Sequence, residues 1–409
     1  MDHDQVAVIE TTFEGLPTQT QLLLLCLQEQ SDATAERIRI LTQDAVHWDS
    51  VFQQACRHSV APLFYWRTRK AKLPAIPPEI AFRLEQRFQS VFHRNFFLTG
   101  ELVKISRCFQ QHGIPMLAYK GPLLAAHYEN IGLREFHDLD LLIREEDVPR
   151  VHQLLGERGF LPRSRENGPG KAHSIRFARA FDFEMTYENL NSGTLVDLHW
   201  ALMPDFFALP AEARQVWERT LVVNVGGSAI QTLGAEDLLL LLCLHGTKHV
   251  WGSLGWVCDV AQVLRAHPNL DWGVLLRRAM RFRTTRALHL GLFLAIELLN
   301  AQVPEFIRQG IASDAKVHWL ARSVRIQLFE DPSWHLNTRA QSLFLMRSRD
   351  TLRDSLRCGM ERVFQPTKAE GWVVDLPRAL FALYYLLRPM RLLGKYVASD
   401  SRSPRPHQH

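Results

Sequence analysis

The sequence predicts an α+β protein with a small mixed sheet in its middle and helical regions at both ends. Apolar residues recur at helical spacing up to residue 112 and again from residue 234 to residue 400. Between these regions, short apolar runs alternate with glycine, proline and asparagine, a pattern typical of strands and turns. We therefore expect a helical region over 1–112, a core over 113–233, a helical domain over 234–400 and a disordered tail over 401–409.

The helical pattern begins at Leu22 and continues through Trp48 and Val51. A long helix is predicted over 78–112, because Pro77-Pro78 suits its first turn and Gly113 follows its last. In the C-terminal region the same spacing predicts helices over 236–251, 255–266, 271–281, 284–299, 311–329 and 376–396.

In the core, the pattern predicts strands over 114–119, 139–143, 181–187, 194–199, 221–225 and 229–232. Gly121-Pro122 opens a short helix that reaches about residue 128. Residues 144–158 predict a second helix, whose first turn is acidic as the helix dipole prefers. The segment 166–170 contains glycine and proline and predicts a flexible loop.

Composition narrows the class of protein. Of the 409 residues, 46% are hydrophobic and 22% are charged, which favours a soluble globular chain over a disordered one. A net charge of +5 permits an anionic substrate but does not argue for nucleic acid. The six cysteines form no C-x-x-C pair, so we expect reduced thiols and a cytoplasmic protein. No apolar run reaches about 18 residues, so no transmembrane span is expected.

Two acids one residue apart are the most informative feature of the chain. Asp138 and Asp140 begin a strand-like run, and side chains at this spacing project from the same face of a strand. Neighbouring carboxylates repel one another unless a positive charge lies between them. Oxygen ligands favour a hard divalent cation, so the pair predicts a site for Mg²⁺ or Mn²⁺.

Other residues around this pair suit the binding of phosphate. Asp197 lies in a later strand and supplies a third carboxylate, as two-metal phosphoryl transfer requires. Gly121 stands at a strand-to-helix turn, where the backbone can approach an anion closely. Lys120 beside it and Arg134 before the acids are candidate phosphate ligands, although both can also be solvated surface charges.

This order of motifs resembles the polymerase-β-like nucleotidyltransferases. It runs from Lys120-Gly121 and Arg134 through Asp138-x-Asp140 to the strand containing Asp197. More narrowly, the chain resembles a bacterial family of uncharacterised nucleotidyltransferases, over roughly residues 20 to 300. The later segments 244–251 and 255–260 belong to the same resemblance.

The resemblance implies a metal-dependent enzyme that moves a nucleoside monophosphate from an NTP, with ATP as the expected donor, to an acceptor hydroxyl and releases pyrophosphate. Asp138 and Asp140 would bind both metals, and Asp197 would bind the catalytic metal and help to deprotonate the acceptor. Gly121 with Lys120 would position the phosphates. A small molecule, a peptide or a protein is the expected acceptor, and nucleic acid is a weaker candidate.

Two alternatives stand beside this interpretation. Superfamily members usually carry Gly-Ser or Gly-Gly at the nucleotide-binding turn, but here Pro122, which has no N–H, follows Gly121. This departure favours a catalytically inactive nucleotide-binding or scaffold protein of the same fold. The second alternative is an interaction protein in which the acids form only a solvated edge.

Several further side chains have two interpretations. Asp182 and Glu184 could replace Asp197 as the third ligand, but we expect them to face solvent or a basic partner. His245 and His249 share a helix face and could bind zinc; a structural role, or a contact into the cleft with Lys248, is favoured.

The C-terminal segment around 380–395 is apolar and then basic. It could touch a membrane surface. A core helix with a basic C-terminal end is the favoured interpretation of the same pattern.

Overall fold

The computed structural model describes residues 15–29, 31–43, 45–71, 76–163, 175–204, 207, 216–331, 337–374 and 376–400. The N-terminal region is helical, as predicted, and Ser31 begins its second helix by accepting a hydrogen bond from the backbone N–H of Thr34. Its helices are α1 (Thr18–Leu27), α2 (Asp32–Leu41), α3 (Trp48–Arg57), α4 (Ala61–Lys70) and α5 (Pro78–Gln111).

A seven-stranded mixed sheet follows. Its strands are β1 (Met116–Ala118), β2 (Asp138–Ile143), β3 (Phe160–Pro162), β4 (Glu184–Asn189), β5 (Leu195–His199), β6 (Thr220–Val225) and β7 (Ser228–Leu233). The order across the sheet is β3-β4-β5-β2-β1-β7-β6. β2 is parallel to β5 and β1 is parallel to β7, whereas the other neighbours are antiparallel. The helices α6 (Pro122–Ala125), α7 (Val148–Glu157) and α8 (Ile175–Phe181) lie between the strands in sequence.

The C-terminal region is helical again. Its helices are α9 (Ala235–Lys248), α10 (Leu254–Ala266), α11 (Trp272–Arg281), α12 (Thr285–Leu299), α13 (Glu305–Ala312), α14 (Ala315–Arg325), α15 (Thr338–Arg347), α16 (Leu352–Phe364), α17 (Lys368–Val373) and α18 (Tyr384–Asp400). α9, α10 and α12 pack against one another and form the centre of this region.

The two faces of the sheet belong to different cores, and this division positions the acids. Leu139, Leu141 and Ile143 of β2 are buried on the face that α5 and α7 cover. Leu142 belongs to the second core, together with the leucines of α9. Because side chains alternate along a strand, Asp138 and Asp140 share the face of Leu142 and point towards the helical regions.

The secondary structure predicted from the sequence was wrong at three segments. Residues 181–187 were expected to form one strand, but Phe181 ends α8, where the rings of Phe177 and Phe181 are in contact with their centres 4.9 Å apart. The helix expected over 311–329 is interrupted, because the side chain of Asp314 accepts a hydrogen bond from the N–H of Lys316 and starts α14. The helix expected over 376–396 begins as a 3₁₀ helix, Arg378–Leu383, after Pro377.

The sequence-based predictions also missed β3, α13, α15, α16 and α17. The remaining predicted helices and strands are confirmed within a few residues at each end. The six cysteines are free thiols, as expected. In the described part of the chain, no helix has both the length and the apolar character that crossing a membrane requires. The predicted loop at 166–170 and the tail at 401–409 lie outside the described residues.

Candidate active site

Three carboxylates lie next to one another on one face of the sheet. Asp138 and Asp140 come from β2, and the parallel register of β2 and β5 places Asp140 directly opposite Asp197. Paired residues on neighbouring strands project from the same face. The structure therefore brings together the three acids that the sequence singled out, from positions almost 60 residues apart.

These acids line a cavity of about 390 Å³ between the sheet and the helical regions. Lys120 and Arg134 also line it, whereas Gly121 does not. The opposite wall comes largely from α9 and the start of α10. It includes His245, Lys248, His249 and Trp256.

Burial and mutual repulsion disturb the ionisation of the acids on β2. Burial, followed by the neighbouring charges of Asp140 and Asp197, raises the pKa of Asp138 to about 7. Burial also acts to raise the pKa of Asp140, but Lys120 and His199 outweigh it and hold that pKa well below its usual range. The nearby positive groups therefore stabilise the charge of Asp140 but do not fully stabilise a second charge on Asp138.

Asp197 shows the same lack of a positive partner. Burial raises its pKa, which a hydrogen bond from Thr186 partly offsets. Its Oδ1 atom is buried and has no hydrogen-bond partner among the described residues. An unpaired buried carboxylate oxygen is costly, so this atom is suited to bind a cation.

Gly121 has a backbone conformation that other residues rarely adopt. Its φ is +52°, and an added Cβ would lie 3.3 Å from the backbone oxygen of Asp138. The chain therefore needs glycine here so that β1 can turn close beneath the acids. The helix that follows, α6, is only four residues long, rather than extending to about residue 128 as predicted.

Lys120 joins the acids to the opposite wall. Its Nζ donates to Oδ1 of Asp140 at 3.1 Å and lies 3.1 Å from Nδ1 of His245. Burial, together with the charge of Lys120, lowers the pKa of His245 well below its usual value, so the imidazole is neutral and can accept this hydrogen bond. Lys120 therefore contacts Asp140 and His245, and no local pattern in the sequence indicated the contact with His245.

Arg134 is engaged in a buried ion pair. Its Nε lies 2.7 Å from Oδ1 of Asp259 on α10, and its Nη2 lies 3.1 Å from Oδ2. The hydroxyl of Tyr128 donates to the same carboxylate at 2.7 Å. Only Nη1 of Arg134 is buried without a hydrogen-bond partner among the described residues. Arg134, which the sequence suggested as a phosphate ligand, thus forms an ion pair that joins the core to α10 of the C-terminal helical region.

A second acid–base group adjoins the three carboxylates. Nε2 of His199 lies 3.3 Å from Oδ1 of Asp140, and its Nδ1 lies 3.3 Å from Oε2 of Glu184. Nζ of Lys248 lies 3.7 Å from the same Glu184 oxygen and 4.5 Å from the ring centre of Phe183. Glu184 thus faces a basic partner, as the sequence predicted.

A contact of His245 and His249 into the cleft with Lys248 was one of the two favoured interpretations, and all three residues line the cavity. The sequence did not identify His199 or Trp256 as lining residues. Across the described residues, no three side chains of His, Cys, Asp or Glu are already gathered into a metal cage. Among the described residues, no third side chain therefore joins His245 and His249 to form a zinc site.

A search of curated protein sequences finds no match. The solved structures that match include the antibiotic-resistance factor ANT(2'')-Ia, at 12% identity and a TM-score of 0.33, over 47% of this chain and 95% of that one. They also include an antigenic nucleotidyltransferase-like protein from Paracoccidioides brasiliensis, at 16% identity and a TM-score of 0.31, over 50% and 93% of the two chains.

The match to a family covers much more of the sequence. The profile of the uncharacterised nucleotidyltransferases matches residues 44–300, which include the whole sheet and the helices α9 and α10. This range contains every residue that lines the cavity. Because the match extends over more than half of the chain, the protein belongs to the family of uncharacterised nucleotidyltransferases.

Proposed function

We propose that the protein transfers a nucleoside monophosphate from an NTP, with ATP as the expected donor, to an acceptor hydroxyl. In this reaction the acceptor oxygen bonds to the α-phosphorus and the bond from that phosphorus to the pyrophosphate oxygen breaks. One observation carries the proposal. Asp138, Asp140 and Asp197 share one sheet face in the wall of a cavity of about 390 Å³.

The charges in the cavity fit a divalent cation. Two of the acids that line it, Asp259 and Glu135, are paired with Arg134 and Arg87. Among the described residues, four other carboxylates and only two ammonium groups line the cavity. They are those of Asp138, Asp140, Glu184 and Asp197, and of Lys120 and Lys248. This excess of carboxylates over ammonium groups favours a divalent cation such as Mg²⁺ or Mn²⁺, whose preferred ligands are carboxylate oxygens.

Asp138, Asp140 and Asp197 are the residues that would hold such an ion. The buried Oδ1 of Asp197, which has no partner among the described residues, supports this assignment. A bound divalent ion supplies Lewis-acid stabilisation of charge on the phosphate oxygens. Lys120 now contacts Asp140 and would give up part of that contact when a cation binds.

We assign the remaining roles from position. An ammonium group has three N–H donors, and Lys120 directs one to Asp140 and another to His245. The third can reach a phosphate oxygen, and Arg134 also lines the cavity. Asp197 is the base for the acceptor hydroxyl, because burial raises its pKa and so strengthens its affinity for a proton. Gly121 allows the turn that places Lys120.

The acceptor that we propose is a hydroxyl on a small molecule, a peptide or a protein. Phe183 and Trp256 line the cavity together with Glu184. Aromatic residues in the wall suit an organic acceptor better than a polyanion. We place the reaction in the cytoplasm, where NTPs are abundant and the six free cysteines stay reduced.

The proposal is tested by titrating the purified chain with each NTP in the presence and absence of Mg²⁺. We expect calorimetry to detect binding that depends on Mg²⁺, and we expect α-phosphate label to appear on an acceptor when candidate acceptors are added. Mg²⁺-dependent binding without transfer to any acceptor class would favour the inactive nucleotide-binding alternative. If no nucleotide binds with Mg²⁺, the proposal is wrong and the interaction-protein alternative remains.

A further inference from the structure

Exposed apolar side chains concentrate near the C-terminus. Among the described residues, thirteen of the 23 large apolar side chains that face solvent lie between Leu343 and Leu393. Isolated apolar residues on a surface are ordinary, but a contiguous apolar surface marks a binding site. This region lies beyond residues 44–300, the range that matches the nucleotidyltransferase family.

Helix α16 presents one continuous apolar stripe to solvent. Leu352, Leu356 and Met360 are 77%, 56% and 64% exposed and lie four residues apart. Val363 continues the stripe, whereas Asp354 and Cys358 on the other side of the helix are buried. Residues at this spacing share a helix face, so they form one exposed apolar stripe along α16, beside the exposed Arg353 and Arg357.

Helix α18 repeats this arrangement. Leu386, Met390 and Leu393 are 63%, 66% and 65% exposed and follow one another at helical spacing. The opposite side of this helix is occupied by other contacts. Tyr384 is buried against Phe177 and Phe181 of α8, and Arg391 binds Glu370. The inner face of α18 is thus packed onto the protein, and its apolar outer face is exposed to solvent.

The two helices belong to one unit that is fixed to the core. α16 and α18 pack against each other, and Nη2 of Arg388 donates to the backbone oxygen of Arg362 at 3.4 Å. The aromatic contacts of Tyr384 with α8 attach this unit to the sheet-bearing part of the chain.

The positive charge of the chain lies in the same region. Residues 337–409 contain 13 Lys and Arg against 6 Asp and Glu, a net charge of +7. The whole chain carries +5, so residues 1–336 carry a net charge of −2. Arg353 and Arg378, beside the apolar residues, are exposed. Apolar stripes accompanied by excess positive charge are characteristic of helices that lie on an anionic lipid surface.

We propose that the outward faces of α16 and α18 bind the surface of a membrane that contains anionic lipids. Charge decides between this occupant and a second copy of the chain. A symmetric pair would bring two regions of charge +7 together, whereas an anionic bilayer complements that charge. The apolar side chains enter the boundary between headgroups and acyl chains, and the arginines contact the headgroups.

The test is sedimentation of the full chain with vesicles. We expect binding to vesicles of phosphatidylcholine with phosphatidylglycerol to be at least about tenfold tighter than to phosphatidylcholine alone, and to weaken in high salt. The substitutions Leu386→Glu and Met390→Glu together should weaken that binding by at least about tenfold. The matched control is Phe82→Glu with Phe96→Glu on α5, where the side chains are 61% and 69% exposed. This control should bind as the wild type does.

The proposal is overturned if the α18 variant and the α5 control bind vesicles equally well, or if the wild type does not sediment with anionic vesicles. It is also overturned if the wild type is a dimer without lipid and Leu386→Glu with Met390→Glu makes it a monomer. In that case the stripes form an interface between copies. Mg²⁺-dependent NTP binding, measured on the same samples, shows independently whether the nucleotidyltransferase proposal holds.

Discussion

Replacing Asp138 and Asp140 together by asparagine is expected to lower the rate of nucleotide transfer by about a thousandfold or more. The two carboxylates occupy one face of β2 and contribute most of the negative charge that a divalent cation would neutralise. A lost metal site removes several kcal/mol of transition-state stabilisation, which corresponds to a rate loss of about this size. The measurement is transfer of α-phosphate label at saturating Mg²⁺ and NTP. Unchanged transfer by the double variant would contradict the assignment.

A stability measurement separates loss of chemistry from loss of folding. The pKa of Asp138 is about 7 in the folded protein, whereas an unfolded aspartate titrates near 4. Between these pH values the folded chain retains a proton that the unfolded chain has lost, so stability falls as pH rises. Asp138→Asn avoids this loss and should melt at a higher temperature than wild type at pH 8 without metal. Asp32→Asn, an exposed acid on α2, is the control and should show no such gain.

Replacing Arg134 by methionine is expected to lower the free energy of unfolding by about 3–5 kcal/mol. The change leaves the carboxylate of Asp259 buried without its cation, and breaking a buried pair costs about this much. Asp259→Asn should have a similar effect, since it leaves the guanidinium of Arg134 unpaired. Denaturation by urea measures both, and the double variant Arg134→Met with Asp259→Asn should cost less than the sum of the single variants.

The control for this ion pair is Arg39→Met on the surface helix α2. Arg39 also pairs with a carboxylate, that of Glu36, but the pair is exposed and its loss should leave stability nearly unchanged. An alternative role for Arg134 makes a different prediction. If the guanidinium served only the nucleotide, Arg134→Met would raise the KM for NTP and leave the urea midpoint where it was, which would contradict the structural role.

The sequence was sufficient to place the three acids on strands, because alternation along β2 is visible in the residues themselves. Leu139, Leu141 and Ile143 identify the buried face and leave Asp138 and Asp140 on the other. What the sequence could not supply is the register between strands far apart in the chain. The pairing of Asp140 with Asp197 depends on β2 and β5 lying parallel and adjacent, which local patterns do not encode.

The partners of the two basic residues were unpredictable for the same reason. Lys120 meets His245, and Arg134 meets Asp259, each across 125 residues of chain. A basic residue near acids in sequence indicates a site for an anion, but which atoms it contacts depends on tertiary packing. Both candidate phosphate ligands thus have protein partners in the fold. Lys120 contacts a carboxylate and an imidazole, and Arg134 stabilises the junction between the core and the C-terminal helices.

Local signals explain the errors in secondary structure. The strand predicted over 181–187 was placed too early, because Phe181 is the last residue of a helix from which Phe177 and Phe181 both pack on Tyr384, whereas β4 begins at Glu184. At residue 314 the aspartate cap was present in the sequence and outweighs the apolar pattern that runs through it. Capping residues are thus better guides to helix ends here than apolar periodicity is.

The central claim is that Asp138, Asp140 and Asp197 together hold a divalent cation beside the nucleotide. The most direct measurement is anomalous diffraction from crystals grown with Mn²⁺ and a non-hydrolysable NTP analogue. The account predicts a Mn²⁺ peak within about 2.3 Å of oxygens from these side chains, with the α-phosphate beside it and Lys120 moved away from Asp140. A nucleotide bound elsewhere, or a cavity in which Lys120 still contacts Asp140 and no Mn²⁺ peak appears, would contradict it.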